Sequence, residues 1–316
     1  MGYKTKLTIL ILVSVILATI FMVYDSGGHW EYVLPRRGKI LLAIVITGAA
    51  IAFATVVFQT ITNNRILTPS IIGLDSLYML IQTFVIFTFG SMSIAMTNAN
   101  LNFVLSAGGM ILFSFVFYQL LFREEGHNIY FLLLVGLILG TFFSSLTTFM
   151  QVLIDPNEFQ SVQNRMFASF NNVNTDLLLI SVISFIVISV YCLRFTKFLD
   201  VISLGKDHSI NLGIPYNKLI KRMLFVVAIL ISISTALVGP ITFLGLLVAN
   251  VTYEFLKTYK HSQIIPASIF VSIIALVGGQ LIVERVFTFE TTLSVIINFI
   301  GGVYFLYLLL KERKSW

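Results

Sequence analysis

Residues 40–58 read ILLAIVITGAAIAFATVVF, nineteen consecutive positions without a charge, an amide or a proline. A bilayer core takes about 20 apolar residues per helical crossing, so this stretch alone predicts a membrane span. Working outward from it, apolar runs fall at about 7–24, 38–60, 70–90, 100–122, 129–154, 176–194, 222–238, 240–256, 264–283 and 291–310. Hydrophobic residues make up 58% of the 316 and charged residues only 11%, against roughly 25% charged in soluble domains. The expectation is an all-α membrane protein of about ten transmembrane helices. Residues 1–316 then form a single transmembrane domain with no room for a separate soluble one.

Lys4 and Lys6 precede the first run, which ends without a small-x-small cleavage site, so the run is read as a retained helix. Cys192 is the single cysteine and excludes an intrachain disulfide. The net charge of +6 is spread over short connections with no basic stripe, which argues against nucleic acid. Ten runs put both ends on one side. If that side is the cytoplasm, fifteen basic residues lie inside (Lys4, Lys6, Arg65, Arg123, Arg194, Lys197, Lys206, Lys218, Lys221, Arg222, Lys257, Lys260, Lys311, Arg313 and Lys314). Only Arg36, Arg37, Lys39, Arg165 and Arg285 lie outside. This bias places both termini in the cytoplasm and the chain in the cell membrane as a multi-pass protein.

Neither a phosphate-loop nor a dinucleotide fingerprint occurs: Gly38-Lys39 and Gly205-Lys206 are followed by Ile40 and Asp207 instead of Ser or Thr. The four histidines, His29, His127, His208 and His261, stand in separate loops without partners at ligand spacing, which argues against a metal site. Asp75 is the ionisable residue lying well inside a run, with Glu254 near the end of another. An ion-coupled secondary carrier usually needs more acids at mid-depth. Asp75 is suited either to capping the break at 68–73 or to lining a pathway. Gln59, Gln82, Asn250, Gln280 and Asn298 are polar residues within runs, fit for interhelical hydrogen bonds or solute contact.

Leu237-Val238-Gly239-Pro240-Ile241 joins two runs with almost no polar loop. Such a break at membrane depth requires cover from protein or a water-filled cavity, so an irregular turn lining a central pathway is expected. The inner stretch 203–215 reads SLGKDHSINLGIP. It predicts a short amphipathic helix, with Gly213 as C-terminal cap and Pro215 preventing continuation. Such a helix suits a groove on a soluble partner, or is an ordinary loop helix.

Three stretches resemble the FecCD-type membrane subunits of binding-protein-dependent ABC importers. Leu34-Pro35-Arg36 with residues 59–73 (QTITNNRILTPSIIG) is similar to that family's Leu-Pro-Arg opening and its Gln...Asn-Pro-Leu-Ala-x-Pro-x-x-Leu-Gly signature. Leu204-Gly205 and Leu212-Gly213 bracket what resembles its coupling region, and residues 238–246 (VGPITFLGL) resemble its Gly-x-Ile-x-Phe-x-Gly-Leu turn. Two departures stand out. Asn250 occupies a position where the family usually has His, and Val33 falls where it has a second arginine, leaving Arg37 to replace it. Residues 68–76 (TPSIIGLDS) look most like permeases for catecholate siderophores of the petrobactin type.

The resemblance implies a type II ABC importer fold and a permease subunit, not an enzyme, that imports ferric siderophore. Haem or cobalamin are the family's alternative cargoes. Energy comes from ATP and Mg on a separate cytoplasmic ATPase dimer, with no cofactor and no metal in this chain. The other partners implied are a second permease subunit, more readily different than identical, and an extracellular siderophore-binding lipoprotein. By motif position, ATPase coupling falls to Leu204, Gly205, Lys206, Asp207, Leu212 and Gly213, and binding-protein docking to Arg36, Arg37 and Arg285. Gln59, Asp75, Gly239, Pro240 and Asn250 are the candidates to line the pathway.

Overall fold

The computed structural model describes residues 2–24, 30–122, 129–171, 173–288 and 291–313, the last three without their side chains. Arg123, His29, His127, Asn172 and Lys314, and the side chains of Lys311 and Arg313, lie outside the described residues. Inner and outer denote the two ends distinguished by the lysine and arginine bias.

The described residues fold as helices joined by turns. The chain runs through α1 (Tyr3–Val23), α2 (Trp30–Thr62), a 3-10 turn (Pro69–Ile72), α3 (Leu74–Phe89), α4 (Ile94–Thr97), α5 (Ala99–Leu121) and α6 (Ile129–Leu153). An outer helix, α7 (Pro156–Arg165), then leads to α8 (Thr175–Leu193), and two inner helices, α9 (Thr196–Ile202) and α10 (Lys206–Asn211), precede α11 (Tyr216–Val238). The chain ends with α12 (Leu244–Leu256), α13 (His261–Arg285) and α14 (Leu293–Arg313). Eight of these helices are long and apolar enough to cross a membrane. The runs at 70–90 and 240–256 instead give the shorter apolar helices α3 and α12. The difference from ten full-length spans has a local cause. Gly73, at φ 87°, separates the 3-10 turn from α3, and residues 239–243 stay out of the helix that follows them.

The middle of the fold is α2, α11 and α13, whose apolar stretches are mostly buried, whereas α1, α6 and α8 turn most of theirs outward. Within a bilayer the hydrophobic effect does not draw helices together; close packing and interhelical hydrogen bonds do. Gly48 in α2 meets Ser272 and Leu276 of α13, and the amide of Gln82 in α3 donates to Asn102 and Ser106 of α5 at 3.2 and 2.6 Å. Asn298 in α14 accepts from the Phe243 N–H at the start of α12, and Gln280 in α13 donates to Asn171. The amides within apolar runs thus join elements that are distant in sequence.

One close contact is backbone on backbone. A methyl group at Gly73 would lie 2.7 Å from the Cα of Gly140, and one at Gly136 would lie 2.9 Å from the Cα of Ile72. Gly136 and Gly140 form a small-xxx-small pair on α6 that accepts the 3-10 turn without intervening side chains. Gly140 sits midway along α6, so α3 starts near the middle of the membrane instead of at its inner face. Residues 63–73 therefore lead into α3 outside the α-helix, exposed at Asn63 and Arg65 and increasingly covered by protein up to buried Ile72 and Gly73, the cover that such backbone needs inside a bilayer.

Replacing Gly73 or Gly136 with alanine should overpack this contact and cost about 1–3 kcal/mol. Thermal unfolding in detergent should show a lowered Tm for both. Gly108→Ala, where the added methyl meets open space within α5, should show no such fall.

Candidate functional site

The residues singled out in the sequence gather at three depths. At the outer rim, Arg36, Arg37 and Arg285 line one cavity of about 270 Å³ together with Tyr32, Asn171 and Glu284. Arg37 Nη1 donates to the carbonyls of Met22 and Tyr24 at 3.3 and 2.7 Å, and Arg285 Nη2 donates to that of Tyr24 at 3.2 Å. These carbonyls end α1, where the negative end of the helix dipole favours a cation. Arg37 also lies over the ring of Phe21, and Arg285 over that of Tyr24. Arg36 is exposed on α2 and makes no such contact among the described residues. The three arginines are thus neighbours with unequal freedom: two brace α1, and the third faces outward. Glu284 was not anticipated from sequence, although it stands next to Arg285; it accepts from Gln280 at 3.0 Å.

Near mid-depth, Asp75 occupies the first turn of α3 and its Oδ2 accepts from Thr242 Oγ1 at 3.3 Å. Thr242 belongs to the non-helical stretch that leads into α12, so this bond joins the start of α3 to the lead-in of α12. Helix N-termini present partial positive charge, which a carboxylate offsets. Asp75 thus stands at the break, and it borders a gap of about 10 Å³ lined by Thr55, Ser70 and Thr242, the size of one water. Gly239 and Pro240 lie farther out and are buried. Gly239 packs on Ala168 and lines a polar cavity of about 330 Å³ with Tyr78, Asn102, Asn164 and Arg165. The irregular turn is therefore present and borders a cavity within this chain.

At the inner end, Gln59 and Asn250 act on the same atom. Their amides donate to the Arg65 carbonyl at 2.7 and 2.8 Å, fastening the non-helical lead-in to α2 and α12. The Arg65 guanidinium lies 4.7 Å from the centre of the Tyr253 ring. Gln59 also borders an inner cavity of about 410 Å³ that reaches Leu204. The five pathway candidates thus do not form one cluster: Gln59 and Asn250 are inner, Asp75 is central, and Gly239 and Pro240 are outer.

The stretch 203–215 contains the expected short helix, α10, capped by Gly213 at φ 79° and preceded by Gly205 at φ 99°. Ser209 is buried and donates to Gly205 and Val201 at 2.7 and 3.1 Å, which pins α10 to α9. Lys206 and Asp207 are exposed, and so are Leu204, Ile210 and Leu212 at 58%, 49% and 64%. Three apolar side chains are thus left uncovered on a polar inner tip.

One feature was not read from the sequence. Thr141, Ser144, Ser145 and Thr148 form an exposed hydroxyl stripe on α6, and Ser144 donates to Ser76 of α3 at 3.0 Å. Their spacing of three and four residues was a legible signal within an otherwise apolar run. No group of three or more metal-binding side chains occurs among the described residues.

The FecCD transport family profile matches residues 5–311. The chain is 64% identical over its full length, and the full length of the relative, to the petrobactin import system permease protein YclO of Bacillus subtilis (strain 168). It is 37% identical to the petrobactin import system permease protein FatC of Bacillus anthracis, over 89% of this chain and 79% of that one. Its fold is similar to a solved metal-chelate type ABC transporter in an inward-facing conformation, with a TM-score of 0.84 at 23% identity, covering 98% of this chain and all of the other. The chain is an integral membrane protein and belongs to the FecCD transport family.

Proposed function

We propose that this chain is one membrane-spanning half of an ATP-binding-cassette importer that carries ferric siderophore, of the petrobactin class, into the cytoplasm. The observation that carries the reading is the α9–α10 tip: exposed Leu204, Ile210 and Leu212 on the inner side of a permease that lacks a nucleotide loop of its own. Full-length identity with a petrobactin permease supports the cargo class.

In this reading both termini are cytoplasmic and the whole chain is one domain. The short helices α3 and α12 complete ten crossings with the help of their non-helical lead-ins. A second permease subunit, different in sequence, completes the pathway, and the α6 hydroxyl stripe faces it. Hydroxyls on a membrane helix are better placed against water or protein than against lipid tails. A cytoplasmic ATPase dimer holds ATP and magnesium and seats α10; this chain needs no cofactor and catalyses nothing. An extracellular siderophore-binding lipoprotein docks on the outer rim, with Arg36 as the free cation and Arg37 and Arg285 shaping the rim through α1.

Uptake of radiolabelled iron on a panel of siderophores, by cells lacking the chain and by complemented cells, tests the function. Selective loss and recovery of iron on catecholate carriers such as petrobactin is expected. Loss confined to haem or cobalamin would replace the cargo, and uptake that survives ATP depletion but fails with the proton gradient would indicate a secondary carrier.

Two substitutions test the assignments. Arg36→Glu should weaken binding-protein affinity, more at low salt than at high, because an exposed charge pair is screened. Arg37→Ala should in addition lower the Tm, since α1 loses two hydrogen bonds. Valine at Gly205 and Gly213 meets open space, so it acts through backbone strain, of order 1–3 kcal/mol each, at positions with positive φ. The double variant should insert normally and hydrolyse ATP without proportional transport.

A further inference from the structure

Beside the inner cavity lies a hydrogen-bonded set of Asp200, His261 and Thr60. His261, the first residue of α13, is 2% exposed. Its ring Nδ1 stands 2.6 Å from Asp200 Oδ1, and its backbone N–H donates to the same oxygen at 2.7 Å. Its Nε2 lies 2.7 Å from Thr60 Oγ1, and that hydroxyl is 2.8 Å from the Val56 carbonyl. Three elements meet here: Asp200 belongs to α9, His261 opens α13 and Thr60 is near the end of α2.

The set has direction. An ionised carboxylate only accepts, so Asp200 fixes the proton of the neutral ring on Nδ1 and leaves Nε2 as an acceptor toward Thr60. Thr60 has one proton to give, either to Nε2 or to Val56. When Thr60 donates to Nε2 the ring is held at both ends, with its plane set by α9 on one side and α2 on the other.

The set also stands where motion must pass. On one side, Ser209 ties α10 to Val201, so α10 moves with α9, whose end is closed by Ser203 donating to the Asp200 carbonyl at 2.7 Å. On the other side, Gln59 adjoins Thr60 and holds the Arg65 carbonyl, from which the chain runs to Gly73 and its seat on α6. Leu199 and Ile202 are buried, but apolar contacts of that kind can slide. Directed hydrogen bonds cannot slide without breaking. The cavity of about 410 Å³ bounded by His261, Thr60, Leu204 and Arg65 gives the piece room to shift.

We propose that Asp200, His261 and Thr60 are positioning residues that transmit displacement of the α9–α10 tip to α2 and α13, so that ATP hydrolysed by the partner becomes movement of the membrane helices. This rests on reading α10 as the ATPase-facing segment, and it assigns the link by which that segment acts.

The test is the complete transporter, with its partner subunits and ferric petrobactin, in proteoliposomes. ATP hydrolysed and iron delivered are measured together, alongside the amount of assembled complex. Asp200→Ala, His261→Phe and Thr60→Val should each keep hydrolysis and assembly while iron delivered per ATP falls about tenfold, a typical coupling factor between linked sites. Thr60→Ser, which keeps the hydroxyl, should restore wild-type coupling, and the Asp200→Ala, His261→Phe double variant should be no worse than either single one. Unchanged iron per ATP in Thr60→Val and Asp200→Ala overturns the proposal. So does a loss of transport matched by loss of assembled complex and shared by Thr60→Ser. If Asp200→Ala fails to assemble, the Thr60→Val and Thr60→Ser pair still decides. A wild-type transporter that delivers no iron on ATP would instead sink the importer reading. Normal coupling after Leu204→Asp and Leu212→Asp would sink the assignment of α10.

Discussion

Backbone that leaves the helix inside a bilayer must find cover, because an unpaired N–H or C=O there costs several kcal/mol. Two segments of this chain do so, residues 63–73 and 239–243, and much of the architecture serves to cover them. The first is received by Gly136 and Gly140 and fastened by amides from two other helices at the Arg65 carbonyl. The second packs on Ala168, accepts Ser169 N–H at the Val238 carbonyl, and is reached by Asn298 at Phe243. Because both segments lead into short helices, the cover also decides where α3 and α12 begin.

Cations at helix ends form a second system. Lys6 donates to the Phe255 carbonyl at 2.6 Å, near the end of α12, while Arg37 and Arg285 hold the other end of α1. α1 turns most of its surface outward, so these polar ties at its two ends supplement its packing on α13. Charged donors to carbonyls are among the stronger hydrogen bonds, worth about 1.5–3 kcal/mol each. The basic outer rim is consequently part of the scaffold.

The fold was largely legible because apolar runs, turn residues and the charge bias are one-dimensional signals. The short lengths of α3 and α12 were not: that of α3 depends on where Gly73 meets Gly140, sixty-seven positions away in the chain, and that of α12 on residues 239–243 staying out of the helix. At the site, the α10 tip was legible from two Leu-Gly pairs and a proline. The meeting of Gln59 and Asn250 at one carbonyl was not, and neither was the pairing of Asp200 with His261. A histidine in a loop and an aspartate in another carry no mark of each other until the helices between them are packed. The hydroxyl stripe was within reach of periodicity but was hidden by the strong apolar signal around it.

α2 runs unbroken from Trp30 to Thr62, thirty-three residues, or roughly 50 Å of continuous helix. Arg36 and Arg37 stand near its outer end, and Gln59 and Thr60 near its inner end. It is therefore one continuous rod that links the arginine rim at one end to the Arg65 lead-in at the other. A tilt of about 5° about its middle would move each end by roughly 2 Å, on a rod of that length. A hydrogen bond lengthened that far no longer holds. The position of the outer rim and the grip on the inner lead-in are thereby readings of a single angle.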